Sequence, residues 1–229
     1  VTGVQTCALP ILYLTSENGL SQNAASAKAA GSDSYISDPA HPVPYRSEIG
    51  WNRTREYMLD DQRFTSQRSD VLTYQSDILE EDVTAIGPVI ADLFVKLSTT
   101  DADFVVKIID VFPDDFKEYS SDKVPMGGYQ MLVRGEIMRG RYRNSFSDPE
   151  GFKPGKDDRV KFNLPDIAHN FRKGHRIMVQ IQSSWFPLFD RNPQQFVNIY
   201  TCKQSDFVKS KVEVLRDKLH PSSIEFLIK

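Results

Sequence analysis

Residues 89–97, VIADLFVKL, decide the fold class of this chain. Every second position from Val89 to Leu97 is apolar, whereas Asp92 and Lys96 lie on the opposite face. A period of two with one apolar face is typical of a β-strand that is buried on one side and hydrated on the other. The segment therefore predicts a half-buried β-strand.

Similar segments on the C-terminal side extend this pattern over most of the chain. Residues 104–111, FVVKIIDV, are apolar on both faces, as expected for a strand near the middle of a sandwich. Residues 160–164, 177–181 and 224–228 alternate in the same way as residues 89–97. Turn-forming pairs separate these runs, namely Gly87-Pro88, Gly127-Gly128, Pro154-Gly155, Lys173-Gly174, Asn192-Pro193 and His220-Pro221.

Helix signals are weak by comparison. Residues 52–59 and 205–210 are the best candidates, and each segment is long enough for one or two turns. The polar residues 15–34 indicate loops or weak hairpins, and the proline-rich residues 37–45 indicate an extended surface connection. Many short strands without βαβ alternation predict an all-β fold, a jelly-roll β-sandwich with long loops and one or two short helices.

Composition narrows the class of protein. The chain has 229 residues, of which 40% are hydrophobic and 26% charged, and this length supports one large domain or two small ones. A net charge of −3 argues against a nucleic-acid partner, because such proteins usually carry a basic excess. No window approaches 18 apolar residues, so no membrane-spanning segment is predicted.

The N-terminal residues 1–11, VTGVQTCALPI, do not resemble a signal peptide, because they lack a basic start and polar residues interrupt the apolar run. Read back into codons, they match a sequencing-adapter string. We interpret them as a non-native stretch and expect the natural N-terminal part to be missing. The predicted domain therefore spans residues 12–229, with a loop-rich, proline-containing excursion at residues 32–66. Cys202 is then left alone, and we interpret it as a small buried hydrophobe.

Sequence motifs for catalysis or metal binding are weak. Ser21 lies in the segment nearest to a G-x-S-x-G nucleophile elbow, but the second glycine is absent. His41 and His220 precede prolines in loops, whereas His169 and His175 flank a turn and could meet in space. Without a neighbouring cluster of Cys or Glu, the sequence predicts neither a metal site nor a cofactor.

Acidic pairs are the next candidates. Asp101 and Asp103 could share a strand face, as a paired general acid and base would require. The loop edges carry Asp60-Asp61, Glu80-Glu81-Asp82 and Asp114-Asp115. We interpret all of these as solvated or turn-capping charges, with a calcium site as the functional alternative.

Residues 174–194, GHRIMVQIQSSWFPLFDRNPQ, combine a strand with aromatic and charged residues at its exit. The aromatics are expected to plug one end of the sandwich. Arg191 is predicted to form a bidentate pair with a carboxylate, and Asn192 to cap backbone amides before Pro193. Asp190 is interpreted as structural, with a catalytic role as the alternative.

Five motifs together resemble a known family. They are SDPAHPVPY (37–45), DDQRF (60–64), DFVVKIIDVFPDD (103–115), RGRYRNSF (139–146) and residues 174–194. They resemble the C-terminal domain of the X-Pro dipeptidyl-peptidase and cocaine-esterase-like serine hydrolases, and most of all the α-amino-acid ester hydrolases related to glutaryl-7-aminocephalosporanic acid acylase. Within these motifs we assign structural roles to Asp110, Arg141, His175, Arg176, Asp190, Arg191 and Asn192.

The resemblance implies a galactose-binding-like jelly roll whose partner is an upstream α/β-hydrolase domain that carries the catalytic Ser, Asp and His. It implies no catalytic residue in this chain, no cofactor, and inactivity of the chain alone. The parent enzyme would be periplasmic or secreted, compatible with a homo-oligomer, and would hydrolyse small esters or amides of α-amino acids, β-lactams included.

One segment is a candidate for contact with the substrate of the parent enzyme. Trp51, Tyr57 and Met58 form an aromatic and thioether cluster in an otherwise polar stretch, and exposed apolar groups tend to mark contacts. We expect them to wall the acyl pocket, with a local packing patch as the alternative. Two other functions compete with the accessory domain: a free-standing carbohydrate-binding jelly roll and a hydrolase active in its own right.

Overall fold

The structure is a computed structural model that describes residues 11–23, 31–48, 50, 55–117 and 125–228. Its strands are β1 (Ile11–Leu14), β2 (Leu20–Ser21), β3 (Ser32–Ser37), β4 (Leu72–Gln75), β5 (Val83–Leu97), β6 (Asp103–Val111), β7 (Gln130–Arg139), β8 (Asp157–Phe171), β9 (Arg176–Gln182), β10 (Ser210–Leu215) and β11 (Ser223–Ile228). The one-turn helix α1 spans Arg63–Ser66, and 3-10 turns lie at Ser16–Asn18, Glu56–Met58, Gly140–Tyr142 and Gln204–Asp206.

These strands form two antiparallel sheets, which confirms the predicted β-sandwich. The seven-stranded sheet has the order β2-β1-β11-β5-β10-β3, with β8 paired to β5. Because β8 follows β5 along almost its whole length, β10 and β11 share the other edge of that long strand. The four-stranded sheet has the order β4-β9-β6-β7, so that β6 and β9 occupy its middle.

The core lies between the two sheets and is built from the predicted apolar faces. Leu93 and Val95 of β5 meet Phe104, Val106 and Ile108 of β6, and all of these side chains are fully buried. Burial of apolar surface stabilises such an arrangement by roughly 25 cal/mol for each square ångström removed from water. The alternation that began with residues 89–97 is therefore the alternation between this core and the outside of the sandwich.

The outer faces of the two sheets differ in chemistry. On the seven-stranded sheet, ion pairs cross between strands: Asp92 bonds Arg159 at 2.5 Å, and Lys96 bonds Asp157 at 2.9 Å. On the four-stranded sheet, the outward residues of β6 are buried as well, because other parts of the chain lie over them. The first face meets water, whereas the second is covered.

Three predictions about local structure need correction. The Gly87-Pro88 pair is not a turn but a bulge inside β5, where Gly87 has φ 90 and the register to β8 shifts before Val89. The loop-rich excursion does not start at residue 32, because Ser32–Ser37 is β3 and pairs with β10. Of the predicted helix 205–210, only a 3-10 turn forms, and β10 already begins at Ser210.

At the N-terminal side, residues 1–10 lie outside the described residues. Ile11 is the first residue of β1 and pairs with Glu225 of β11. The other predicted helix, residues 52–59, contains one 3-10 turn, Glu56–Met58, in its described part. No helix of the described residues is long and apolar enough to cross a lipid bilayer.

Candidate functional site

The outer face of the four-stranded sheet carries a second apolar cluster, which we call the outer layer. Its buried members are Tyr45, Val105, Ile109, Leu132, Met178 and Trp185. Trp185 stacks on Phe189, with ring centroids 6.2 Å apart, so the predicted aromatic plug covers a sheet face. The proline-rich connection, predicted to follow the surface, instead adds buried Val43 and Tyr45.

The predicted pocket-wall residues divide between this layer and the solvent. Tyr57 lies in the 3-10 turn Glu56–Met58, with its ring centroid 5.4 Å from that of Tyr45 and 5.8 Å from that of Trp185. Met58 is 40% exposed and the following Leu59 is 70% exposed. Trp51 lies outside the described residues. In this segment Tyr57 therefore packs inward, as the alternative of a local packing patch required, whereas Met58 and Leu59 are exposed.

Lys107 is a component of this region that sequence reasoning missed. It lies in the middle of β6, it is fully buried on the outer-layer side, and its Nζ donates to Gln62 Oε1 at 3.0 Å. The amine also lies 5.4 Å from the ring centroid of Trp185 and 5.8 Å from that of Phe64. Burial lowers the pKa of the Lys107 amine to about 7. The single Lys among the apolar residues 104–109 was the available signal.

Gln62 connects Lys107 to the covering segment. Its side-chain amide donates to the carbonyl of Asp60 at 2.8 Å, and its backbone N–H donates to the carbonyl of Gln130 at 2.9 Å. Thr65 Oγ1 lies 2.9 Å from Gln180 Oε1 of β9 and 3.0 Å from the Gln62 carbonyl. Gln62, Thr65, Lys107 and Gln180 thus form a buried polar cluster beneath the residues that face outward.

The acidic pair Asp101 and Asp103 is not solvated, contrary to prediction. Both carboxylates are buried: Arg141 Nε donates to Asp101 at 2.7 Å, and Arg139 Nε donates to Asp103 at 3.2 Å. Asn192 donates to both carboxylates. Burial raises the pKa of Asp103 to about 6, although its cationic and amide partners act in the opposite direction. These contacts assign the pair to a structural network that also uses the predicted motif residue Arg141.

The structure agrees with the predictions for two of the three polar residues after β9, Asp190 and Asn192, and differs from the prediction for Arg191. Asp190 accepts from Arg139 at 2.8 Å, which favours the structural interpretation. Asn192 Oδ1 accepts from the backbone N–H of Gln194, so the predicted cap is present. The predicted carboxylate pair of Arg191 does not form within the described residues. Its guanidinium instead donates to the Pro39 carbonyl at 2.8 Å and lies over two aromatic rings, because loop 37–45 passes beside it.

The histidines His169 and His175 do meet, through a shared carboxylate. Asp110 accepts from His175 at 2.7 Å and lies 2.9 Å from His169 Nε2. Arg176, beside His175, donates to the Ser76 carbonyl at 2.8 Å. Because Asp110 belongs to one sheet and His169 to the other, these contacts tie the two sheets together.

All four histidines have acidic partners. Each histidine contacts an aspartate: the pairs are His41–Asp38, His169–Asp110, His175–Asp110 and His220–Asp217. Among the described residues, no serine hydroxyl is bonded to a histidine ring. That part of the chain also holds no group of three or more His, Cys, Asp or Glu side chains able to bind a metal ion.

Comparisons with known proteins agree with this geometry. The family model of the X-Pro dipeptidyl-peptidase C-terminal non-catalytic domain matches residues 11–225. The crystal structure of an aminopeptidase from a marine sediment Thaumarchaeota archaeon is 41% identical, with a TM-score of 0.89 over 97% of this chain and 37% of that one. A solved α-amino acid ester hydrolase is 38% identical, with a TM-score of 0.90 over 96% of this chain and 36% of that one.

A curated relative gives the same picture from sequence. Cocaine esterase of Rhodococcus sp. (strain MB1 Bresler) is 32% identical over 210 residues, which cover 92% of this chain and 34% of the relative. The chain therefore spans about a third of the length of the relatives it matches. Because the family match and the structural likeness both extend over nearly all of its residues, the chain belongs to the X-Pro dipeptidyl-peptidase C-terminal non-catalytic domain family.

Proposed function

We propose that this chain is the accessory β-sandwich of a serine hydrolase. In this proposal it is part of a longer polypeptide, packs on an α/β-hydrolase domain that supplies the nucleophile, and helps to wall the acyl pocket of that domain. Alone it is inactive. Two facts support the proposal: the matched family is a non-catalytic domain, and each relative has about two-thirds of its length outside the match.

The observation that carries the proposal is the contrast between the two outer faces. The seven-stranded sheet presents paired charges such as Asp92–Arg159 to water, whereas the segment over the outer layer presents Met58 and Leu59, which are 40% and 70% exposed. Neighbouring apolar side chains exposed on one face are typical of a surface that another protein covers. The catalytic domain would therefore dock on the outer-layer side.

The same segment would supply the pocket wall. The Tyr57 ring packs edge-on against Trp185, and the next residue, Met58, is 40% exposed. Trp51 is proposed from the sequence alone as a further residue of this wall. Apolar walls with few polar groups are usual for pockets that bind small apolar acyl groups.

The substrate class is an ester or amide of an α-amino acid. The names of the relatives, an aminopeptidase, an α-amino acid ester hydrolase and a cocaine esterase, share the cleavage of an ester or amide bond. In the proposed reaction a serine of the catalytic domain attacks the carbonyl, the alcohol or amine leaves, and water hydrolyses the acyl-enzyme. Dipeptidyl-peptidase activity and β-lactam hydrolysis fall within this class.

We further propose that the parent enzyme is periplasmic or secreted and that the β-sandwich has a galactose-binding-like topology.

The carbohydrate-binding alternative has less support. Sugar-binding modules present tryptophan or tyrosine rings to solvent on one sheet, whereas Trp185 is only 5% exposed and lies in the outer layer. A glycan panel tests this alternative directly, and we expect no binding.

A chimeric enzyme tests the proposal. Residues 11–228 replace the C-terminal domain of the α-amino acid ester hydrolase, and hydrolysis of a phenylglycine ester is measured. We expect the chimera to be active, whereas the same enzyme truncated before the domain and the isolated chain are not. Trp51→Ala and Met58→Ala should each lower kcat/KM about tenfold, the usual size of an apolar pocket contact.

The matched control is Tyr200→Ala, because Tyr200 is 88% exposed outside the outer layer. This variant should keep the kcat/KM of the parent chimera. If Trp51→Ala and Met58→Ala also keep it, these residues do not wall the pocket. If the isolated chain hydrolyses the ester above the blank rate, the accessory-domain proposal is wrong.

A further inference from the structure

Lys107 is buried in a way that calls for a function. Within the described residues, its amine reaches one hydrogen-bond acceptor, Gln62 Oε1, and no carboxylate. Transfer of an amine from water to an apolar layer is unfavourable unless its polar atoms are well paired. A methionine of similar length would fill the same space beside Trp185 without this penalty. Packing alone therefore does not explain a lysine here.

The bonds that start at Lys107 lead into the outward-facing segment. The Lys107 amine donates a hydrogen bond to Gln62 Oε1, and Gln62 Nε2 donates to the backbone carbonyl of Asp60 at 2.8 Å. The Asp60 carboxylate in turn accepts from the backbone N–H of Ser47 at 2.9 Å. These hydrogen bonds connect β6 to the two segments that cover the outer layer, one containing Asp60 and the other Ser47. Residues 57–59 directly precede Asp60, which bonds both Gln62 and Ser47.

We propose that Lys107 is a positioning residue that, through Gln62, fixes residues 57–60 above the outer layer and so sets the height of the acyl-pocket wall. The role of residues 57–60 as a pocket wall rests on the proposed function. Their positioning by Lys107 does not depend on it. A buried polar pair of this kind selects one arrangement of the cover over others that apolar contacts alone would tolerate. The neighbouring aromatic rings attract the Lys107 amine, but this attraction does not position residues 57–60, whereas the hydrogen bond to Gln62 does.

The test is hydrogen exchange of the backbone amides of residues 57–62 in the 229-residue chain at pH 7. Lys107→Met removes the donor and keeps the volume, and Gln62→Leu removes the acceptor. Each variant should lower the protection of these amides about tenfold, the expected effect of losing one buried hydrogen bond. The double variant should exchange no faster than the faster single variant, because both changes break the same link.

Ile109→Val is the matched control, since it removes one methylene from the same face of the same strand. It should leave the protection of residues 57–62 unchanged, and at pH 7 Lys107→Met should not lower the free energy of unfolding. Protection in Lys107→Met equal to that of the parent, or additive losses in the double variant, would overturn the inference.

The chimeric enzyme separates this inference from the proposed function. Lys107→Met should raise KM for the phenylglycine ester about tenfold and leave kcat nearly unchanged, because a displaced wall weakens binding rather than the chemical step. Faster exchange together with an unchanged KM would leave the positioning intact and refute the pocket-wall role. Unchanged exchange refutes the positioning, whatever the kinetics show.

Discussion

The Lys107 amine links the stability of the sandwich to pH. Burial lowers the pKa of this group to about 7 in the folded chain, whereas a lysine in an unfolded chain has a pKa of about 10.4. Between these two values the unfolded state binds more protons, so this group makes stability rise with pH through that window. Below pH 7 both states are protonated, so stability no longer changes with pH through this group, and the buried charge destabilises the folded state by its full amount.

Lys107→Met should therefore have a stability curve that crosses that of the parent. We expect the variant to be more stable at pH 6 by a few kcal/mol, on the order of 1.4 kcal/mol for each unit by which burial lowers the pKa. At pH 10 it should be less stable by about 1 kcal/mol, because the bond to Gln62 is lost. Urea unfolding at pH 6, 8 and 10 measures this. Parallel curves, as we expect for Ile109→Val, would contradict it.

At the residue scale, the sequence predicts some roles and misses others for a definable reason. Asn192 was predicted as a cap because its target lies two residues away. Lys107 and Arg191 were not predicted correctly, because their partners come from residues 37–66, far along the chain. Periodicity assigns a face to a side chain, but it does not say whether a distant loop covers that face.

At the scale of elements, a glycine in β7 makes room for the aromatic cover. A β-carbon added at Gly135 would lie 2.9 Å from the Trp185 ring and 3.4 Å from Lys107 Cγ. Gly135→Ala should displace Trp185, lower the free energy of unfolding by about 1–3 kcal/mol through overpacking, and shift the tryptophan emission to longer wavelength. The emission is measured in a Trp51→Phe background, so that Trp185 alone reports.

Gly155→Ala is the control for this prediction, because a β-carbon there has nothing within 4 Å. It has φ 73, so we expect it to lose about 1 kcal/mol through backbone strain and to keep the Trp185 emission. An unshifted emission in Gly135→Ala would mean that Trp185 does not depend on the missing side chain.

The strands themselves were predictable where one face is apolar. β5, β8, β9 and β11 follow from alternation and β6 from a run that is apolar on both faces, since each contributes a full row of side chains to the core. β3 and β7 were missed because SDSYIS is largely polar and QMLVRGEIMR carries Gly, Glu and two Arg. β10 was missed although Val212 and Val214 alternate, because the preceding segment resembled a helix. Edge strands contribute less to the core, so their pattern is weaker.

At the scale of the whole molecule, the motifs predicted the family and its non-catalytic character, but not the face on which we propose that the catalytic domain docks. That face depends on which outer surface the loops cover, and only the folded chain brings residues 43–45, residue 57 and residues 185–189 together over one sheet. The outer face of the seven-stranded sheet then carries ion pairs, whereas the outer face of the four-stranded sheet carries the apolar outer layer. This contrast predicts that two leucines of similar exposure behave differently.

Leu59 is 70% exposed over the outer layer, and Leu219 is 80% exposed in the turn between β10 and β11 of the other sheet. In the chimeric enzyme, Leu59→Ser should lower the free energy of unfolding by about 1–3 kcal/mol, since it removes a leucine that the catalytic domain buries. Leu219→Ser should change it by less than about 0.5 kcal/mol, as is usual for a surface position. In the isolated chain, Leu59→Ser should instead reduce self-association measured by analytical ultracentrifugation, because the unpartnered face is less apolar. Equal effects of the two substitutions in the chimera would show that the catalytic domain does not dock on the outer-layer side.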